Sequence, residues 1–348
     1  MMILFHILHL AIRKNMKYFL LLLTGLSCWI QQAQAYTCTL QTSMTTISTA
    51  NITIARSTPI GTEIGNTSTA ITPIYSCTNS DPKLTEQIFG VKAIGTYVMN
   101  VGDKRIYSTP IKGIGYAVEG YTYNCQTDVW SGWVGGGTNV DGNANNRGLC
   151  SIAGILPRQP ITGMINIAYY KTNEVTGSGT VSPGVVAAFI LRNNGSWQKE
   201  SDVSVSSLTV TTIPCEVNQT VISVAMGDVE KKEFKGIGTW PDDSNTKKFD
   251  IPLTCNPDAK VNVQIDGDIQ NANQGVINLT ASNNNATGVG IQLLFNNTPL
   301  KLGAPFSTGT TTINGLYNIP LQARYYQTGN TVTAGEANAT ATFTITYN

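Results

Sequence analysis

The stretch that decides the fold is Ala337-Asn338-Ala339-Thr340-Ala341-Thr342-Phe343-Thr344-Ile345-Thr346-Tyr347-Asn348, in which every odd position is apolar and every even one is polar. Successive side chains of a β-strand point to opposite faces, so this alternation predicts a strand with one buried face. At a sheet edge, such a strand exposes unpaired backbone groups beside an apolar face. It therefore either completes a sandwich within its own domain or accepts a strand from another chain.

The rest of the chain repeats this pattern. Alternation recurs at Val203–Val210 and Val261–Ile265, Gly- and Asn-rich turns separate such runs, and no segment shows a long 3.6-residue period. We expect an all-β protein built from antiparallel sandwiches. The 348 residues less a 35-residue leader leave 313, more than one comfortable core, so we expect two domains.

The domain boundary is predicted at Thr211-Thr212-Ile213-Pro214, just before Cys215. The alternating strand before it is expected to end at Val210, and proline interrupts strand pairing. The predicted domains are residues 36–211 and 212–348.

The first 35 residues have the layout of a secretory signal peptide. Arg13-Lys14 and Lys17 give a positively charged start, and Ala33-Gln34-Ala35 supplies the small residues of a cleavage site. Between them Tyr18–Ile30 is an apolar run of about 13 residues, too short to cross a bilayer comfortably. Met16 is a second candidate start. We therefore expect export from the cytoplasm.

Composition limits the chemistry of the mature chain. Both histidines, His6 and His9, lie in the leader, so a Ser–His or Cys–His nucleophile pair lacks its base. A paired-carboxylate glycosidase remains formally open, without an accompanying motif. The leader holds 3 of the 22 Lys and Arg residues and none of the 21 Asp and Glu, which leaves 19 basic residues against 21 acidic ones. We expect no enzymatic activity, no cofactor and no nucleic-acid partner.

Six cysteines remain after the leader, an even number that indicates disulfides in an exported protein. Six permit 15 connectivities. Order along the chain favours the sequential pairs, which cross neither one another nor the domain boundary: Cys38–Cys77, Cys125–Cys150 and Cys215–Cys255. None has the close C-x-x-C spacing of a zinc site, so we expect no metal.

The C-terminal half resembles the pilin subunits of chaperone–usher fimbriae. Gly335 is the fourteenth residue from the C-terminus and Tyr347 is penultimate, with alternating apolar positions between them. The resemblance covers about residues 213–348 and also rests on the separation of Cys215 and Cys255 and on three further motifs, Val224-Ala225-Met226-Gly227-Asp228-Val229, Gly288-Val289-Gly290-Ile291-Gln292-Leu293 and Ile319-Pro320-Leu321-Gln322-Ala323-Arg324-Tyr325.

This resemblance implies an immunoglobulin-like pilin domain that lacks its last strand. A periplasmic chaperone would fill the resulting groove first, and a strand from the adjacent fimbrial subunit would replace it at the outer-membrane usher. Basic residues of the chaperone would hold the carboxylate of Asn348. The zipper with the donated strand would use Ala341, Phe343, Ile345 and Tyr347.

The N-terminal half is similar to two-domain fimbrial adhesins. Tyr36-Thr37-Cys38 and Gly184–Arg192 resemble segments of the mannose-binding type 1 fimbrial adhesin, whereas Pro59–Thr62 and Tyr107–Gly115 resemble the type 3 group. These matches imply an elongated jelly-roll or immunoglobulin-like sandwich of lectin type. Since Cys38 is expected as the third mature residue, no donor extension precedes the first domain. A subunit that accepts but does not donate a strand belongs at the fimbrial tip, on the cell surface.

The candidate ligand site is the loop enclosed by Cys125 and Cys150, which is rich in the aromatic, amide and carboxylate groups that bind sugars. With Tyr36, which resembles the N-terminus of the mannose-binding adhesin, its candidate residues are Tyr36, Asp128, Trp130, Trp133, Asn139, Asp141, Asn143, Asn145 and Arg147. The alternative is a solvated loop whose tryptophans pack into the sandwich. We expect a tip adhesin for host glycans, with an adhesin for a matrix protein such as collagen, or a minor structural subunit without a receptor, as alternatives.

Overall fold

The structure is a computed structural model that describes residues 36–125, 128–135, 137 and 139–347. The predicted leader, with Met16, and the final residue Asn348 lie outside the described residues. The described part consists of strands joined by turns, without an α-helix, and its short 3-10 helices are Lys231–Glu233, Asp243–Asn245 and Ala272–Gln274. No helix in this part of the chain is both long and apolar enough to cross a membrane.

Residues 37–213 form a first body. Its strands are β1 (Thr37–Leu40), β2 (Met44–Ile47), β3 (Ile52–Ala55), β4 (Glu63–Ser68), β5 (Thr72–Thr78), β6 (Glu86–Ala93), β7 (Tyr97–Val101), β8 (Lys104–Ser108), β9 (Ile114–Thr122), β10 (Trp130–Trp133), β11 (Asn146–Ala153), β12 (Ile161–Lys171), β13 (Gly179–Val181), β14 (Gly184–Asn193), β15 (Ser196–Trp197), β16 (Ser201–Val205) and β17 (Leu208–Ile213).

Two large sheets of the first body enclose its core. The eight-stranded sheet runs β1-β5-β12-β9-β8-β7, with β10 on β9 and β4 on β12, and the six-stranded sheet runs β11-β6-β14-β16-β2, with β15 on β14. A three-stranded sheet, β13-β17-β3, completes the body. Phe89 and Phe189 stack in the core with ring centroids 5.9 Å apart. Strand β9 shows the layering: Val118 belongs to this core, and its neighbours Ala117 and Glu119 face outward.

Residues 215–347 form a second body. Its strands are β18 (Cys215–Val217), β19 (Lys247–Cys255), β20 (Lys260–Gly267), β21 (Ile269–Asn271), β22 (Val276–Ile277), β23 (Val289–Phe295), β24 (Thr298–Pro299), β25 (Phe306–Thr310), β26 (Gly315–Gln327) and β27 (Ala341–Tyr347). A seven-stranded sheet, β18-β19-β26-β23-β22-β21 with β24 on β23, packs on a three-stranded sheet, β25-β20-β27. The predicted all-β fold built from sandwiches is therefore confirmed.

The two bodies have separate cores that share no residue. Strand β17 continues to Ile213, which pairs with Ala55 of β3, and β18 begins at Cys215 after a single intervening proline. The strand therefore extends three residues beyond Val210, its predicted end. The domain ranges 36–211 and 212–348 stay a prediction.

The single strand expected over residues 203–210 is wrong, because the chain bends at Ser206-Ser207 between β16 and β17. The backbone N–H of Ser206 donates to the carbonyl of Ile47, and its hydroxyl accepts from the backbone N–H of Thr49 at 3.0 Å. These hydrogen bonds satisfy the polar groups at the break, where the alternation of the sequence also changes phase, and the two runs lie in different sheets.

The disulfides are the three sequential pairs, Cys38–Cys77, Cys125–Cys150 and Cys215–Cys255. The first joins β1 to β5 and the third joins β18 to β19, each at directly opposed positions of the register. The second links the chain just after β9, in the eight-stranded sheet, to β11 in the six-stranded sheet. It therefore closes the candidate loop across the sandwich.

Candidate functional site

An open groove of about 1370 Å³ runs along the second body. Its floor is made of apolar side chains from that body's core, among them Ile251, Ile291 and Leu321. Strand β27 lines one side of it, and residues 221–229 line another. The groove is therefore an elongated apolar channel bordered by two segments.

The first border is β27, which pairs with β20 along one edge and has no strand on its other edge among the described residues. Phe343, Ile345 and Tyr347 are half-buried against the core, whereas Thr344 and Thr346 are exposed. The apolar side of the strand thus lines the groove, as do Ala341, which is exposed, and Gly335. Burial raises the pKa of Tyr347.

The second border is residues 221–229, a segment outside the sheets. Ile222, Val224 and Met226 are half-buried against the core, and the residues between them are exposed. In the described chain no backbone N–H between Asn218 and Glu233 donates a backbone hydrogen bond, although the carbonyl of Gly227 accepts from the Tyr325 hydroxyl at 2.9 Å. This segment resembles a strand that lacks a neighbour.

Gly335 holds the chain close to a neighbouring loop before it reaches β27. A Cβ atom at this position would lie 2.3 Å from the nitrogen of Ala286 and 2.5 Å from the carbonyl oxygen of Asn284. The adjacent Glu336 exchanges backbone hydrogen bonds with these two residues at 2.9 and 2.7 Å. A side chain does not fit here, which gives a physical reason for glycine at this point of the sequence.

Together, the borders and the floor can accept one extended segment. Its backbone would pair with the free edges, and its apolar side chains at alternate positions would enter the groove. Neither the backbone pairing nor the packing of apolar side chains needs a charged group or a metal. Within the described residues, no three His, Cys, Asp or Glu side chains are grouped as a metal site requires.

The loop between Cys125 and Cys150 does not bring its aromatic residues together. Trp130 and Trp133 are three positions apart on β10, so they lie on opposite faces of that strand. Trp130 is 50% exposed, whereas Trp133 is half-buried on the outward face of the eight-stranded sheet. Asp128 is exposed just before β10.

The polar side chains of the loop hold its own turns. Asn139, Asp141 and Asn143 each accept a hydrogen bond, of 3.2, 3.1 and 3.0 Å, from a backbone N–H two or three residues further on. The side chain of Asn145 accepts one from the hydroxyl of Tyr107 at 2.8 Å. These contacts give the loop a structural role, and ligand binding by these four side chains stays a prediction.

The last two candidates lie apart from these turns. The guanidinium of Arg147 fills the space over Gly132 of β10. Tyr36 precedes β1, and strands β5, β12 and β9 separate β1 from β10 in the sheet. The structure therefore separates Tyr36 from the loop, and its role in binding also stays a prediction.

Sequence reasoning missed a polar group on the outward face of the eight-stranded sheet. The Tyr121 hydroxyl donates to Oε2 of Glu119 at 2.7 Å, and Nδ2 of Asn166 donates to the same oxygen at 3.3 Å. Burial, together with the bond to Glu119, raises the pKa of Tyr121 to about 12. The alternation of β9 could have placed Glu119 and Tyr121 on one face. Asn166 joins them through the pairing of β9 with β12, which the sequence does not reveal.

The chain matches a family model described as fimbrial protein over residues 204–348. A fimbria adhesin protein of Klebsiella pneumoniae is 30% identical over 190 residues, which span 51% of this chain and 57% of that relative's length. A type 1 fimbrial subunit of Salmonella typhimurium is 33% identical over 132 residues, 36% of this chain and 70% of the subunit. Among solved structures, the CupB6 tip adhesin of Pseudomonas aeruginosa has a TM-score of 0.38 and 18% identity, over 89% of this chain and 94% of that one.

Proposed function

Because the chain belongs to the family of fimbrial proteins, we propose that it is a fimbrial adhesin, anchored in its fibre by a strand that an adjacent subunit donates to the second body. The observation that carries this proposal is the groove of the second body. Its apolar floor lies between β27 and residues 221–229, and each of these borders lacks backbone partners along one edge in the described chain. Fimbrial proteins are surface fibre components and not an enzyme family. The first body then attaches the fibre to a host surface.

The groove also supports a chaperone and an usher as assembly partners. An open apolar groove exposes the core to water and to other strand edges, so it needs an occupant before export is complete. A periplasmic chaperone strand fills it first, and a strand from the adjacent subunit replaces that strand at the outer-membrane usher. The zipper residues of β27 are Ala341, Phe343, Ile345 and Tyr347.

A position at the fimbrial tip is part of the proposal. A shaft subunit donates a free extension that lies before its pilin domain. In this chain β17 leads into the second body, and it is paired with β3 and β13. Since β17 already has partners, it is not free for donation, which supports a subunit that accepts a strand at the end of the fibre.

For the receptor, a host glycan is proposed ahead of a matrix protein such as collagen. The outward face of the eight-stranded sheet favours a glycan, because it presents a carboxylate, an amide and an aromatic ring side by side. A minor structural subunit without a receptor is the remaining alternative, and it leaves the first body without a role.

Expression of the chain with and without a donated strand tests the proposal. Fusion of an alternating donor peptide through a flexible linker after residue 348 is expected to convert an unstable chain into a soluble, cooperatively unfolding monomer. The matched control is the same peptide with aspartate at its apolar positions, which is expected to give no rescue. A stable monomer that unfolds cooperatively without any donor or chaperone would contradict the proposal.

A further inference from the structure

The outward face of the eight-stranded sheet carries a row of side chains that the candidate loop does not account for. Directly opposed positions across β10, β9, β12 and β4 place Trp133, Glu119, Asn166 and Ser68 in one line. Neighbouring strands lie about 4.8 Å apart, so this row is about 14 Å long. It has room for more than one sugar ring.

Glu119 is the centre of the row. It is 9% exposed, and its Oε2 atom accepts from both Tyr121 and Asn166. Within the described residues its Oε1 atom has no hydrogen-bond partner, and no ion pair involves this carboxylate. Two donors therefore fix a charged acceptor and leave one of its oxygens for a ligand.

Asn166 and Ser68 extend the row away from Glu119. The hydroxyl of Ser68 donates to Oδ1 of Asn166 at 3.2 Å, while Nδ2 of Asn166 points to Glu119. The amide is thus oriented from both sides. Side chains that are held in this way lose little conformational freedom when a ligand binds.

Trp133 forms the other end of the row. It packs against a small outward cluster of buried side chains that includes Ala117 and Tyr170. The ammonium of Lys104 lies 4.4 Å from the centroid of the Trp133 ring and donates to the hydroxyl of Tyr170 at 2.8 Å. The Tyr170 hydroxyl in turn donates to Glu63 at 2.9 Å. A half-buried aromatic side chain is thereby fixed beside the acceptors of the row.

We propose that this face binds a neutral glycan, with Trp133 against the C–H side of a sugar ring and with Glu119 and Asn166 on its hydroxyl groups. The inference rests on the proposed adhesin function and specifies its receptor site and ligand class. Paired sugar hydroxyls match a carboxylate beside an amide, and a ring face matches an aromatic side chain. The binding groups come from the sheet, and Trp133 is the residue that the disulfide-closed loop contributes to the row.

Charge narrows the ligand class to uncharged sugars. Lys104 is engaged with Trp133 and Tyr170, and Glu63 accepts from Tyr170. Lys104 and Glu63 keep their opposite charges, which offset each other across the Tyr170 hydroxyl, so the Glu119 carboxylate leaves the row with a net negative charge. A sialylated or sulfated sugar brings a second negative charge beside it, which is unfavourable, whereas a neutral sugar donates a hydroxyl to it.

The test uses the full chain, stabilised by the fused donor peptide, on arrays of neutral, sialylated and sulfated glycans and of matrix proteins. The strongest neutral ligand is then titrated against the variants Glu119→Gln and Asn166→Ala. Since hydrogen bonds to charged groups are the strong ones, Glu119→Gln is expected to weaken binding about tenfold or more. The matched control is Asp202→Asn on β16, in the opposite sheet, which is expected to leave the affinity unchanged.

The outcomes separate the ligand class, the binding site and the adhesin function. Strongest binding to sialylated or sulfated glycans, or binding to matrix proteins in place of glycans, overturns the proposal. Neutral binding that stays within twofold in both Glu119→Gln and Asn166→Ala overturns the site. Glu119→Gln keeps the size of the side chain, and thermal unfolding checks that each variant is folded. Failure of the adhesin function itself gives a different result, because the chain that the donor peptide stabilises then binds neither glycans nor matrix proteins.

Discussion

The groove of the second body and the outward face of the first body offer different atoms to the ligands that we propose for them. The borders of the groove leave backbone groups without partners on one side, so its occupant is selected by its extended conformation and by apolar side chains at alternate positions. On the outward face, β10, β9, β12 and β4 are paired with one another, so side chains do the binding. Backbone pairing suits a strand that recurs along a fibre, and side-chain recognition suits one distinct receptor.

The largest effect is expected from a charged side chain placed in the groove. Ile345→Asp places a carboxylate on the side of β27 that faces the apolar floor, where the fused donor strand covers it. We expect the free energy of unfolding of the donor-stabilised chain to fall by about 3 kcal/mol or more, with loss of soluble protein. Denaturant titration and soluble yield measure this effect.

The neighbouring residue gives the control for this change. Thr344 is exposed on the other side of the same strand, so Thr344→Asp is expected to change the free energy of unfolding by less than about 0.5 kcal/mol. Equal losses of the free energy of unfolding in Ile345→Asp and Thr344→Asp would mean that the side of β27 that faces the groove is no more sensitive to a charge than its exposed side.

A smaller effect is expected where the chain approaches a loop of the second body. Gly335→Ala places a methyl group against backbone atoms of Asn284 and Ala286, and overpacking of this kind costs about 1 to 3 kcal/mol. In the control Gly184→Ala, the nearest atom to the new Cβ is 4.0 Å away, so stability is expected to stay the same or to rise slightly. Calorimetry of the donor-stabilised chain compares the two, and a harmless Gly335→Ala would refute the packing role.

The apolar side of β27 could be predicted from a local pattern, whereas the groove beside it was implied by the resemblance to pilin subunits. The alternation of residues 337–347 marks the apolar side of β27 without knowledge of its partner, and the six cysteines along the chain pair in sequential order. The strand predicted over residues 203–210 failed for a local reason of a different kind. The alternation itself changes phase there, because two polar residues, Ser206 and Ser207, follow each other, and the hydroxyl and N–H groups of Ser206 bond to residues about 160 positions away.

The outward face could not be predicted in the same way. Glu119 and Asn166 are 47 positions apart in sequence and meet through the register of β9 with β12. A shift by one residue in that register would turn Asn166 toward the core. The aromatic and amide residues of the disulfide-closed loop were conspicuous in sequence, yet most of their polar groups are engaged in turns. Composition indicated a polar loop, and pairing decided which side chains stand together.

The smallest expected effect compares the two faces of β12 through adjacent tyrosines. Tyr169 faces the core, is 4% exposed, and its hydroxyl has no hydrogen-bond partner in the described chain, whereas the Tyr170 hydroxyl contacts Lys104 and Glu63 on the outward face. Tyr169→Phe removes an unsatisfied buried hydroxyl and is expected to raise the free energy of unfolding by about 1 kcal/mol, while Tyr170→Phe is expected to lower it by about as much. Denaturant titration at pH 7 measures both changes.

The pH dependence of the free energy of unfolding gives a further test of the two faces of β12. Burial raises the pKa of Tyr169 to about 12, above the value of about 10 in the unfolded chain. Ionisation of Tyr169 therefore costs no stability below pH 10, and stability is lost as the pH rises from about 10 to about 12, because the unfolded chain releases the proton first. Tyr169→Phe should reduce the loss measured between pH 9 and pH 11. A loss that is as steep in the variant as in the wild-type chain would show that Tyr169 does not carry it.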